Sequence, residues 1–153
     1  QAAKKADDSL LRDYAETTVA VADIKIAVRS MKTGKNKDFM KRAMAECNTL
    51  DIDRLATAAV AGMEEIERYL ADTAYAGGAE ALSESASAFE RWCDNRIIET
   101  IKPQKYNPFT VGPIVAYILA RLNEIKTVRI ILTCKLNQLP EEAIRERVRE
   151  MYV

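Results

Sequence analysis

The chain has 153 residues, 48% of them hydrophobic, with 23 basic and 23 acidic side chains and no histidine. A net charge of zero excludes a general electrostatic pull toward nucleic acid or anionic lipid. The missing histidine removes the commonest general base, the commonest metal ligand and every Ser-His or Cys-His nucleophile pair.

Gln1-Ala2-Ala3-Lys4-Lys5 carries neither an initiator Met nor the apolar core of a signal peptide, and is expected to be the cut end of a longer chain. Leu10, Tyr14, Val21, Ile24, Val28 and Met31, with Thr17 in the gap, keep steps of three, four or seven. That spacing predicts a helix from about Ser9 to Lys32, begun by Asp7, Asp8 and Ser9 and stopped by Thr33-Gly34-Lys35-Asn36. A short helix from about Lys37 to Glu46 follows. Between Asp51 and Ala76, Leu55, Ala59, Met63, Ile66, Leu70 and Thr73 form one stripe, with Gly62 a joint between two short helices. Gly77-Gly78 reads as a turn. A further helix from about Ser83 carries Ala86, Phe89, Cys93, Ile97 and Ile101 and ends before Pro103. Tyr106-Asn107-Pro108-Phe109 is a loop, either an exposed docking element or a plug over the bundle end.

The last long segment places Ile114, Ile118, Leu122, Ile125, Val128, Leu132 and Leu136 at helical spacing, with Pro113 in its first turn. A second row, Val115, Leu119 and Ile131, predicts partners on more than one side and a central, buried element. On that reading Leu122→Asp buries an unpaired charge and costs several kcal/mol. Pro140-Glu141-Glu142 opens a final helix, acidic in its first turn and basic later. The scarcity of Gly and Pro, five and four residues, leaves no room for many tight strand turns, so the fold class is all-α.

An internal echo links Asp23-Ile24-Lys25 with Glu124-Ile125-Lys126, 101 residues on. At that offset Val21 meets Leu122, Ala27 meets Val128, Met31 meets Leu132 and Asn36 meets Asn137. Charge is uneven: residues 51 to 100 carry four basic and eleven acidic groups, while the stretches on either side are net basic. Cys47, Cys93 and Cys134 lack a Cys-x-x-Cys pair and read as buried free thiols. Trp92, near Phe89, reads as core. Glu64, Glu65 and Glu67 have no histidine with which to build a carboxylate-bridged dimetal site, and are expected to be a solvated helix face. Asp51-Ile52-Asp53 is too short for a calcium loop, and no phosphate-binding glycine motif is present. The uncharged run from Tyr106 to Ala120 is interrupted by Pro108 and Pro113 and falls short of a membrane-spanning helix. No catalytic constellation, cofactor site or metal site emerges.

The run from Pro113 to Ile131, containing Tyr117-Ile118-Leu119-Ala120-Arg121-Leu122-Asn123-Glu124-Ile125, and its continuation Lys135-Leu136-Asn137-Gln138-Leu139-Pro140 resemble the C subunit of A/V-type rotary ATPases, known as the d subunit in the vacuolar enzyme. Gln138 stands where that family usually has Gly, and Leu122 where it often has a charge. Asp13-Tyr14, Asp23-Ile24-Lys25 and Asp72-Thr73-Ala74-Tyr75 extend the likeness, Ala74 replacing a common Pro. The resemblance implies about one and a half repeats of a three-unit helical funnel, with residues 1–48 ending one unit and 49–153 forming the last. It also implies a non-catalytic rotor connector between the central-shaft subunits and the membrane proteolipid ring. Such a connector would be cytoplasmic, peripheral to the membrane, without cofactor and with no part in nucleic-acid binding. Within it, Ile114, Ile118, Leu122, Ile125, Val128 and Leu132 are expected to form a rigid strut. Glu64, Glu65 and Glu67 are expected to touch a partner. The alternative is a free-standing helical adaptor whose likeness is convergent patterning, and an enzyme ranks third.

Overall fold

The computed structural model describes residues 8–152; the opening Gln1 to Lys5 stretch and Asp7 lie outside that range. Among the described residues there are helices and no strands: α1 Ser9–Lys32, α2 Lys37–Ala43, α3 Ile52–Ala61, α4 Met63–Ala71, α5 Ala76–Glu84, α6 Ala86–Ile101, α7 Gly112–Leu136 and α8 Glu141–Arg147, with a 3-10 turn at Lys102–Tyr106 between α6 and α7. No helix in this range is long and apolar enough to cross a membrane. Two compact units are formed.

One unit is Ala15–Glu84. Its helices start where side chains satisfy the first free amides: Asn36 accepts from Phe39 N at 2.9 Å and Asp51 from Arg54 N at 3.0 Å. Helix α1 ends in a left-handed turn at Gly34, φ 66°, with Lys35 N donating to Ser30 O at 2.9 Å. Gly62, at φ 137°, separates α3 from α4 in a conformation that side chains other than glycine's resist. Packing runs α2 on α3, α3 on α4 and α4 on α5, around a core that includes Ile24, Met40, Leu55, Ile66, Leu70 and Tyr75. The Glu16 carboxylate accepts from the Thr49 backbone and hydroxyl at 2.8 and 3.0 Å, tying α1 to the turn before α3. Gly77 and Gly78 lie inside α5, which corrects the expected turn. Gly78 is buried, and α5 packs on α4.

The other unit joins the chain from Ser85 onward to the first turns of α1, up to Tyr14. Ser85 caps α6 by accepting from Ala88 N at 2.9 Å, at the point where the chain passes from one unit to the other. Leu10, Ile98, Ile101 and Ala116 are buried together, with Tyr14, Val115, Leu119 and Tyr152 packed around them. The residues after α8 are fastened by polar contacts. Asp94 accepts from Lys126 Nζ at 2.6 Å and from Arg149 Nε at 2.7 Å, Asn123 donates to Glu150 O at 2.8 Å, and Glu150 N donates to Asn95 Oδ1 at 2.9 Å. Asp94 and Arg149 are both buried.

Helix α7 is where the structure departs most from expectation. Its buried residues include Ala116, Ala120, Asn123, Thr127 and Cys134, whereas Ile114, Ile118, Leu122, Ile125, Val128 and Leu132 are between 47% and 66% exposed. The stripe exists, but it points away from the chain's own core. The small side chains of α7 are the ones turned inward, and the bulkier row opposite is left outside. Leu122 is therefore not a buried position, and the large stability cost expected of Leu122→Asp is withdrawn. The echo also breaks at the helix ends: Asn36 starts α2, whereas Asn137 ends α7. Cys93 and Cys134 are buried, but Cys47 is only half-buried, and burial pushes its thiol above the usual range. Trp92 is half-buried too and stacks on Phe89 with centroids 6.2 Å apart.

Candidate interaction surfaces

The outer face of α7 is the most extensive apolar feature described. Ile114, Tyr117, Ile118, Leu122, Ile125, Val128, Leu132 and Leu136 are all about half exposed or more, over a helix of 25 residues. At 100° per residue these positions cluster opposite the buried Ala116, Ala120 and Thr127. Arg121 and Arg129 fall within the same exposed arc, Arg121 paired with Glu124 one turn on. Periodicity located this face correctly but could not say which side the chain itself covers, since both sides of α7 are apolar.

The tip preceding α7 is also uncovered. Phe109 is 99% exposed and Tyr106 77%, with Lys105 Nζ 5.4 Å from the Tyr106 ring centre. Of the two readings of this loop, the exposed element is what the structure shows. Its bend is held by Thr110, whose hydroxyl donates to Asn107 O at 3.1 Å and accepts from Gly112 N at 3.1 Å. A Cβ at Gly112 would lie 2.3 Å from Gln104 Oε1, so glycine leaves the room that the turn uses.

In the other unit, Glu64, Glu65 and Glu67 share α4. Glu64 is exposed, while Glu65 and Glu67 are half-buried, and Glu65 pairs with Arg68 at 2.8 Å. Glu64 and Glu65 sit in the first turn, where the helix dipole favours acids. Beside them, α3 and α4 flank an open cavity of about 400 Å³ lined by Asp53, Arg54, Thr57, Glu65, Arg68 and Tyr69 among others. Arg54 lies over the Tyr69 ring at 5.3 Å, and Lys41 and Lys37 hold the Asp53 carboxyl below its usual range. Both signs of charge line this cavity, Asp53, Glu65 and Asp72 with Arg54 and Arg68, and Glu65 and Arg68 pair with one another. Among the described residues no three His, Cys, Asp or Glu side chains converge as a metal site.

The expected partner-contact residues and the expected strut residues thus sit on different helices of different units. Sequence reasoning missed the buried Asp94–Arg149 pair, because its members are 55 residues apart and each reads locally as an ordinary helix-surface charge.

Over residues 1–147 the chain matches the family described as ATP synthase (C/AC39) subunit. The chain belongs to this family. The C/AC39 match takes in every helix described above. A relative, the A-type ATP synthase C subunit of Methanocaldococcus jannaschii, is 26% identical over 148 residues, covering 91% of this chain and 37% of the relative. The chain therefore spans little more than a third of that relative's length. No solved structure matches it significantly.

Proposed function

We propose that this chain is a non-catalytic connector in the rotor of an A/V-type ATPase, joining central-shaft subunits to the membrane proteolipid ring on the cytoplasmic side. The observation that carries this reading is the C/AC39 match over residues 1–147. The build of the molecule supports it. An extensive uncovered surface lies along a 25-residue helix with a row of exposed apolar residues, the kind of part that transmits force by shape and stiffness. On this reading α7 is the strut, its Ile114-to-Leu132 face receives a neighbouring protein, and Glu64, Glu65 and Glu67 form a second contact. The assignment of residues 1–48 and 49–153 to successive helical units belongs to the same proposal.

Affinity capture from gently solubilised native membranes tests it. Proteolipid and shaft proteins should co-purify with the tagged chain, and ATP hydrolysis should lose its coupling to ion movement when Leu122 is replaced by Asp. Capture without either class of protein would favour a free-standing adaptor. Unchanged assembly after charge reversal at Glu64, Glu65 and Glu67 would remove those residues from the contact.

A further inference from the structure

We infer that the outer face of α7 is the docking surface for an acidic amphipathic helix. This helix would carry an apolar stripe with carboxylates about two turns apart. The inference concerns the chemistry of the occupant and stands whether or not the rotary assignment holds.

The first support is internal. At the 101-residue offset, Leu122, Ile125 and Val128 correspond to Val21, Ile24 and Ala27 of α1, which are 3%, 0% and 0% exposed. The face that α1 buries within its own unit is the one that α7 leaves open. Size is the second. Eight large apolar residues, each about half exposed or more, offer on the order of 800 Å², one partner's share of a standard interface. Charge names the occupant. Arg129 and Arg121, the latter sharing its charge with Glu124, interrupt the apolar face where α1 has the buried Val28 and Ala20, and eight residues of helix place them about 12 Å apart. A second copy packed antiparallel and centred on Ile125 would set Arg121 against the partner's Arg129, cation against cation. Carboxylates at matching intervals turn the same contacts favourable.

Two labelled 25-residue model helices provide the test, both with a Leu stripe, one with Glu and its twin with Lys at two stripe positions eight residues apart. By fluorescence anisotropy at low salt, the full chain should bind the Glu helix at least tenfold more tightly than the Lys twin, with affinity falling as salt is added. R121E/R129E should reverse that preference, and L122D/L132D should lose both helices. All variants should keep the parent's circular dichroism and melting temperature within a few degrees. Equal binding of the twins, or binding of neither, would overturn the inference. So would a sedimentation dimer abolished by L122D/L132D, or capture by anionic phospholipid vesicles in preference to the Glu helix.

Discussion

Replacing Asp23 by Asn exchanges one buried carboxylate oxygen for an amide at nearly constant size. Asp23 is 2% exposed; its Oδ1 accepts from Ala45 N at 3.1 Å and its Oδ2 has no hydrogen-bond partner among the described residues. Burial raises its pKa from 3.8 to about 6, opposed in part by the Ala45 N–H. Two pKa units at about 1.4 kcal/mol each make the ionised form cost roughly 3 kcal/mol in the native state. Between pH 3.8 and about 6 the native chain holds a proton that the unfolded chain has released, so stability falls as pH rises through that window and is level above it. The substituted asparagine carries no charge to desolvate and keeps an acceptor for Ala45. Its amide hydrogens meet no acceptor and cost about 1 kcal/mol, leaving a net gain of about 2 kcal/mol at pH 7. Urea unfolding followed by circular dichroism at a series of pH values measures both proteins. Near pH 4 Asp23→Asn should be the less stable by up to about 1 kcal/mol, and the two curves should cross below pH 6 so that it is the more stable by about 2 kcal/mol at pH 7. A difference that does not vary with pH, or a variant less stable at pH 7, would refute the reasoning.

Asp94→Ala leaves Arg149 buried without its carboxylate and is expected to lose about 3–5 kcal/mol, while Arg149→Met in the same background recovers part of that loss; a double-mutant cycle by urea unfolding checks the coupling. Leu122→Asp, at a position 57% exposed, should cost no more than about 1 kcal/mol by thermal melting, against the several expected of a buried site. Gln138 holds φ 55° at the end of α7, where Leu139 N donates to Cys134 O at 3.0 Å, so Gln138→Gly should relieve left-handed strain and stabilise by about 0.5–1 kcal/mol. Gly62→Ala has open space for its methyl but a φ of 137°, and should destabilise by about 1–3 kcal/mol, read as a lower melting temperature.

Local chemistry made most of the helices legible. The spacing of Leu10 to Met31 marked α1 from Ser9 to Lys32, and Gly62 marked the α3–α4 joint, because both depend on neighbours in the chain. Gly77-Gly78 misled for the complementary reason: glycine weakens a helix in isolation, whereas here the pair lies in a helix that packs on α4 with Gly78 buried, a long-range contact that local sequence does not display. Burial on α7 was illegible since period identifies a face without saying what covers it. The Gln138 departure from the family's usual Gly, by contrast, was visible in sequence and coincides with a positive φ. Asp23 lay within a motif already singled out, yet its missing partner at Oδ2 is a property of the assembled unit.

The back-to-front amphipathicity of α7 separates two kinds of mutational failure. Changes at Ala116, Ala120 or Thr127 damage folding and would surface in any screen for soluble expression. Changes along Ile118 and Leu122, which lie in solvent, would pass such a screen, and on the proposed reading their effect would be seen only in assembly. The outward row is thus free of the packing constraint that the inward row carries, so its side chains can be exchanged without first endangering the fold that presents them.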